Sequence, residues 1–216
     1  MKNSDFIDYV LQILMSNEKN QNLYTILNEK LQELGIVEFI EQVAQPLTAA
    51  VGEKWFDSSI DVFDEHFYTQ QMNAVLNNWV ADYLSNENNI NYPRMLLTTL
   101  SGEKHGLGLA MVQAVLCTQN VFCINLGTEL PISEFDKVIR NYKINIVGLS
   151  FSLFFPKRII VAGTNQLRSM LPPEVELWVG GEGVKNIQEF SPEVKKLFSP
   201  HEILTALNEF NKIQRN

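Results

Sequence analysis

The chain has 216 residues, 45% of them apolar, so one or two domains with a sizeable core are expected. Its formal charge is −8 and its pI about 4.9. That balance argues against direct nucleic-acid binding, which asks for a basic face. The two basic pairs, Lys157-Arg158 and Lys195-Lys196, read as solvated surface. No apolar run approaches membrane-spanning length, and Met1-Lys2-Asn3-Ser4-Asp5 lacks the pattern of a signal peptide. A cytoplasmic protein without membrane contact is expected. Cys117 and Cys123 fall on a predicted helix and the next strand, fit no metal or redox motif, and read as reduced core thiols.

Residues 1 to about 85 read as helices. Phe6, Val10, Ile13 and Leu14 form one apolar stripe, and Leu23, Ile26, Leu27 and Leu31 a second that ends near Gly35. A third stripe runs from Val37 toward Trp55, with a kink expected at Pro46. Asp57-Ser58-Ser59 breaks the chain and offers a cap for a fourth helix, which runs to about Leu84. Four stripes with short connections predict a small antiparallel bundle. Ser85-Asn86-Glu87-Asn88-Asn89 reads as a linker, dividing residues 1–88 from 89–216.

Beyond the linker, strands and helices alternate. The predicted strands are Arg94–Leu100, Val121–Leu126, Ile144–Ser150, Val175–Val179 and a short one at Lys196–Phe198. The intervening helices run to Gln119, Tyr142 and Leu171, and His201–Ile213 closes the chain. The fold class is therefore α/β: an N-terminal four-helix bundle, then a flavodoxin-like (Rossmann-like), doubly wound, five-stranded parallel sheet.

Candidate functional residues collect at strand ends, where such sheets place ligands. Gly102-Glu103-Lys104-His105-Gly106-Leu107-Gly108 follows the first strand. One imidazole with a carboxylate two residues earlier is too little for zinc, which wants three or four protein ligands. It suits a metal whose other positions a macrocycle fills, with Glu103 orienting His105. The other reading is an ordinary polar loop. A dinucleotide fingerprint needs a third glycine where Met111 stands. Ser150-Phe151-Ser152 and Gly180-Gly181 end two further strands. Glycines there either let a ligand approach the backbone or make plain turns.

Together these residues resemble the cobalamin-binding domain family. Its pattern is an acidic residue, any residue, His, two residues and Gly, then about 41 residues to a Ser and about 27 more to a glycine pair. Glu103, His105 and Gly108 match the first part, residues 109–149 make 41, and residues 153–179 make 27. Glu103 replaces the commoner Asp, and Ser152 stands where Leu is frequent. Trp55, nine residues, then Glu65-His66 is similar to a motif of light-sensing cobalamin repressors of the CarH type, as is Leu126-Gly127-Thr128-Glu129-Leu130-Pro131. On one unbroken helix Trp55 and Glu65 would sit about 80° apart, so the break at Asp57–Ser59 lets both serve one ligand. Without the resemblance, Trp55 has bundle core as its other reading, and Glu65-His66 a surface pair near a helix start.

The resemblance implies adenosylcobalamin as cofactor, with methylcobalamin as second choice. It implies His105 as the cobalt ligand from below, with Glu103 setting its tautomer. Gly106, Leu107, Gly108, Ser150, Ser152, Gly180 and Gly181 would line the crevice for the nucleotide tail, with Ser150 bonding the tail's base. The helical part, through Trp55, Glu65 and His66, would cap the upper face. Relatives often carry a His directly after the Trp. Here that residue is Phe56, which cannot ligate a metal. The implied function is a non-enzymatic light sensor. No counterpart of the repressors' DNA-binding domain is expected in these residues, so the signal would pass to a protein partner or through self-association. A corrinoid methyl carrier of a methyltransferase system is the alternative, and a cobalamin store or chaperone a third.

Overall fold

The computed structural model describes residues 2–16, 22–86 and 92–213, which divide into two units, Met1–Asp82 and Tyr83–Asn216. The expected division at 88/89 and residues 87–89 of the expected linker lie outside the described residues. Ser85 and Asn86 instead continue the last helix of the N-terminal part.

In the helical unit, α1 (Asn3–Met15) buries Phe6, Val10, Ile13 and Leu14, the stripe its spacing predicts. α2 (Leu23–Leu34) begins where the Asn22 side chain accepts the Thr25 amide at 3.2 Å, satisfying one orphan donor of the first turn. It ends at Gly35, whose φ of +76° suits glycine. The third stripe is α3 (Ile36–Phe39), a π-helical segment (Ile40–Ala44) and α4 (Gln45–Phe56) in direct succession. Pro46 has no N–H to give the preceding turn, and the wider π register falls directly ahead of it.

Asp57 does not cap the next helix. Its side chain accepts the Ser59 amide at 2.9 Å, while Ser58 takes a φ of +63°. The cap lies further on. The Asp64 carboxyl reaches back to the Asp61 amide at 3.1 Å, ahead of α5 (Val62–Asn86). Tyr68, Met72, Val75, Leu76 and Val80 are buried along α5 at helical spacing. Thr48 donates to the Ala44 carbonyl at 2.7 Å, so the wholly buried Tyr68 hydroxyl, also 2.7 Å away, donates to Thr48.

The second unit holds β1 (Arg94–Thr98), β2 (Phe122–Asn125), β3 (Ile146–Ser150), β4 (Glu176–Gly180) and β5 (Val194–Lys196). All pairs are parallel, in the order β2-β1-β3-β4-β5. The intervening helices are α6 (Leu107–Cys117), α7 (Phe135–Tyr142), α8 (Lys157–Met170) and α9 (Pro200–Ile213). β1, β3 and β4 are buried at nearly every position, as strands covered on both faces must be, whereas edge strand β2 is half-buried throughout. Leu96, Val147 and Leu177 lie side by side in register and share a core with Phe135, Ile139, Ile160 and Leu167.

The expected last strand, Lys196–Phe198, is found at Val194–Lys196. Its lysines are not simply solvated, for Lys195 donates to Glu176 at 3.0 Å and Lys196 to the Ile187 carbonyl at 2.9 Å. Cys117 and Cys123 are free thiols, and burial pushes Cys117 up to about 11 and Cys123 higher still. Among the described residues no helix is long and apolar enough to cross a membrane.

Candidate functional site

The strand order reverses between β1 and β3, so the loops after these two strands diverge around a crevice at their C-terminal ends. β1 stops at Thr98 because the chain turns at once. Glu103 donates its amide to the Leu100 carbonyl at 3.0 Å, across a turn whose third residue, Gly102, has φ +91°. A side chain at that position would be strained. Thr99, wholly buried, donates its hydroxyl to the Glu103 carbonyl at 2.6 Å and accepts the Glu129 amide at 2.8 Å. Glu129 itself, at φ +64°, accepts the Gly102 amide at 3.3 Å. The His-bearing loop is thus stitched to the loop after β2.

The loop delivers one buried carboxylate and one exposed imidazole. The Glu103 side chain is 1% exposed, that of His105 57%. Glu103 Oε1 accepts the His105 amide at 3.0 Å and lies 2.6 Å from His105 Nδ1. Oε2 accepts both the Ser152 amide and the Ser152 hydroxyl, each at 2.8 Å. Burial pushes the Glu103 carboxyl up, but the bonds from the His105 ring, the His105 amide and Ser152 outweigh it and hold the group below the ordinary glutamate range. A carboxylate only accepts, so the proton between Glu103 and His105 is assigned to Nδ1, and the imidazole lone pair falls on Nε2. The ring of Phe154 lies 6.1 Å from that of His105, centroid to centroid.

Gly106 precedes α6, and a Cβ there would press Thr128 at 3.2 Å. Leu107 is buried and opens α6. A Cβ on Gly108 would fall 2.5 Å from Ser150 Oγ, so the bare backbone at 108 admits the Ser150 hydroxyl. Gly180 and Gly181 have a structural use of their own. A Cβ on Gly180 would strike the Leu197 carbonyl oxygen at 2.7 Å, and one on Gly181 the Phe151 carbonyl oxygen at 2.3 Å. Glu103, His105, Ser150 and Ser152 are therefore brought together by β1, β3 and α6, with the glycine pair pressed against the β3 loop.

Trp55, Glu65 and His66 lie in the helical unit. Trp55 is 37% exposed near the end of α4, which sets it apart from the buried bundle core. Around the same turn Phe56, Val62 and Phe63 are exposed as well. Glu65 accepts the Thr69 hydroxyl through Oε1 at 2.7 Å, and its Oε2 lies 2.6 Å from His66 Nδ1.

The sequence reading missed Thr69, Thr99 and Gly183, each a partner of a residue it did name. Thr99 had a signal, a polar pair at the end of an apolar run. Gly183 had none. Among the described residues no group of three or more His, Cys, Asp or Glu could hold a metal ion alone. A metal that arrives with its equatorial positions filled needs only one such donor, and His105 fits that need.

Residues 19–78 match the family model described as B12 binding domain. The chain is 25% identical over 163 residues to the HTH-type transcriptional repressor CarH of Myxococcus xanthus, covering 76% of this chain and 53% of that protein. The chain thus spans about half the length of this curated relative. The fold is shared with the monomethylamine corrinoid protein of Methanosarcina barkeri, at TM-score 0.70 and 17% identity, covering 96% of this chain and 99% of that one. This chain is therefore similar to cobalamin-binding proteins over its helical part, and it shares its fold with a corrinoid protein.

Proposed function

We propose that this chain binds adenosylcobalamin and serves as a light-responsive sensor that signals to a protein partner or through self-association. One observation carries cobalamin binding: a buried, doubly anchored Glu103 presents an oriented His105 at the reversal point of the sheet. His105 would offer Nε2 to the metal. Glu103 keeps the Nδ1 proton in place, which fixes the tautomer and raises the basicity of the donor. Ser150 supplies a hydroxyl toward the nucleotide tail, beside Gly106, Leu107 and Gly108.

When bound, adenosylcobalamin supplies a weak cobalt–carbon bond that visible light breaks. In this reading residues 1–88 cover the upper face. Trp55 offers an indole that fits an adenosyl group better than a methyl. Glu65 offers carboxyl oxygens to ribose hydroxyls, and His66 stands beside it. The identity to a transcriptional repressor supports a regulatory output. Release of the adenosyl group would leave Trp55 and Glu65 without their ligand, a packing change of the kind that biases a two-state element.

A second reading, a corrinoid methyl carrier, draws support from the fold shared with the M. barkeri corrinoid protein over nearly the whole chain. One experiment separates the two: absorption spectra of protein loaded with adenosylcobalamin, in the dark and under green light, with elution volume followed in parallel. A rapid change to a stable new spectrum, with altered elution or partner binding, supports the sensor. A photo-insensitive state of the protein, with preferred methylcobalamin binding and methyl transfer to a thiol, supports the carrier. Failure to bind any cobalamin overturns both.

A further inference from the structure

The turn after β3 carries two side chains that its backbone does not ask for. Phe155 donates its amide to the Ser152 carbonyl at 3.3 Å, which places Leu153 and Phe154 at the two central positions of a turn. Such positions favour Gly, Pro, Asn, Asp and Ser. Here both are large and apolar, Leu153 69% exposed and Phe154 44% exposed. Burial does not explain them either, and exposed apolar side chains beside a crevice point to a contact. The residues on each side of this tip are anchored. Ser152 is bonded to Glu103. Phe155 stacks on the buried Phe151 at 6.0 Å, and its ring edge lies 3.5 Å from where a Cβ on Gly102 would stand. The tip is therefore held against the loop after β1. There Phe154 meets the imidazole, its ring 6.1 Å from that of His105 and tilted by 40°.

We propose that Phe154 is a positioning residue for His105: its ring, presented on the turn tip, sets the plane in which the imidazole stands. The inference rests on the cobalamin reading above. The Glu103 bond fixes the Nδ1 end of the imidazole. A ring pinned at Nδ1 and at Cβ can still rock about the line between those two points. Rocking carries Nε2, which lies off that line, away from its aim. His105 is 57% exposed, so the bulk of the protein does not cage it. An aromatic ring packed beside it opposes the rocking, at a separation where aromatic pairs attract. Bonding at one end and packing alongside are separate constraints, so each can be removed without the other.

The test uses the full chain loaded with hydroxocobalamin. Affinity is measured by spectral titration. The axial nitrogen is read from its splitting in the electron paramagnetic resonance of the reduced, Co(II) form, with 15N-histidine labelling to assign it. Phe154→Ala is expected to weaken binding roughly two- to tenfold, the range that one aromatic pair spans, and to reduce the nitrogen-coordinated fraction. Phe154→Tyr, which keeps the ring, restores both. Leu153→Ala removes the more exposed side chain of the same tip and should leave both near wild type. Melting of the unloaded variants near the wild-type temperature separates positioning from unfolding. If Phe154→Ala does not fold, Phe154→Leu, which keeps apolar bulk without the aromatic ring, takes its place. Equal losses from Leu153→Ala and Phe154→Ala, with the nitrogen splitting intact, would make the tip a plain apolar contact and overturn the inference. If His105→Ala abolishes the nitrogen signal while Phe154→Ala keeps wild-type affinity and splitting, this inference fails and the cobalamin reading stands. A wild-type protein with no histidine nitrogen on cobalt overturns the cobalamin ligand assignment itself, and this inference with it.

Discussion

The two units each carry a glutamate beside a histidine, with the same 2.6 Å separation between a carboxyl oxygen and Nδ1. The two pairs are built differently. The free oxygen of Glu103 accepts two bonds from Ser152, 49 residues away, and the carboxylate is 1% exposed. The free oxygen of Glu65 accepts one bond from Thr69, a single turn along the same helix, and Glu65 is 23% exposed. The anchoring of the first pair exists only when the sheet is assembled. The second needs only a formed helix. Long-range anchoring suits a permanent ligand, while local anchoring suits a contact that must be made and lost.

The sharpest way to break this comparison is to remove each histidine. His105→Ala is expected to lower cobalamin affinity at least tenfold and to abolish the imidazole-ligated spectrum. His66→Ala is expected to keep that spectrum in the dark and to cost a few-fold at most. Equal spectra for wild type and His105→Ala would sink the ligand assignment.

Trp55→Ala comes next. Truncating a fully buried aromatic costs roughly 3–5 kcal/mol. Trp55 is 37% exposed, so the unloaded protein should lose much less than that. The cost should appear on binding, as an affinity loss for adenosylcobalamin about tenfold greater than for hydroxocobalamin. Equal loss for both cofactors would make Trp55 plain helical packing.

The same contrast explains what the sequence discloses. Apolar patterning placed every helix stripe and the first four strands, because apolar spacing is set by one-dimensional geometry, whereas the short last strand lies two residues earlier than expected. The apolar run into Gly102 and the intervals to Ser150 and Gly180 marked the crevice. Ser152 was visible only as a departure from a pattern, because its bond to Glu103 depends on how β1 and β3 pair. The π-helical segment before Pro46 has the same apolar spacing as a kinked α-helix. The cap moved from Asp57 to Asp61 and Asp64 because several acidic residues compete within eight positions, and only the fold selects among them.

Glu103 also gives a pH test of the buried pair. Its carboxyl sits below the ordinary value of about 4.5, so it contributes stability that is fully present above that value. The contribution is lost as pH falls through the folded-state value. Glu103→Gln replaces one acceptor oxygen by an amide that has no acceptor among these donors, at a cost of about 1–3 kcal/mol near neutrality. The stability gap between wild type and Glu103→Gln should therefore narrow as pH drops below about 4.5. A gap that stays constant in denaturant unfolding from pH 7 to 3 would show that the carboxylate charge is not what the four bonds stabilise.

The smallest expected effect is the most discriminating for the helical pair. Thr69→Ala removes the one bond that anchors Glu65 Oε1, a contact between residues four apart on α5. Such pairs are worth about 0.2–0.5 kcal/mol on a helix, and alanine is the better helix former, so the unloaded protein should melt almost unchanged. Glu65 would still lie against His66 through Oε2. If local anchoring means an adaptable contact, adenosylcobalamin affinity falls only about twofold, the scale that 0.5 kcal/mol sets. Hydroxocobalamin affinity should not change at all. A tenfold loss confined to adenosylcobalamin would mean that Thr69 does for Glu65 what Ser152 does for Glu103, and the contrast between the two pairs would not hold.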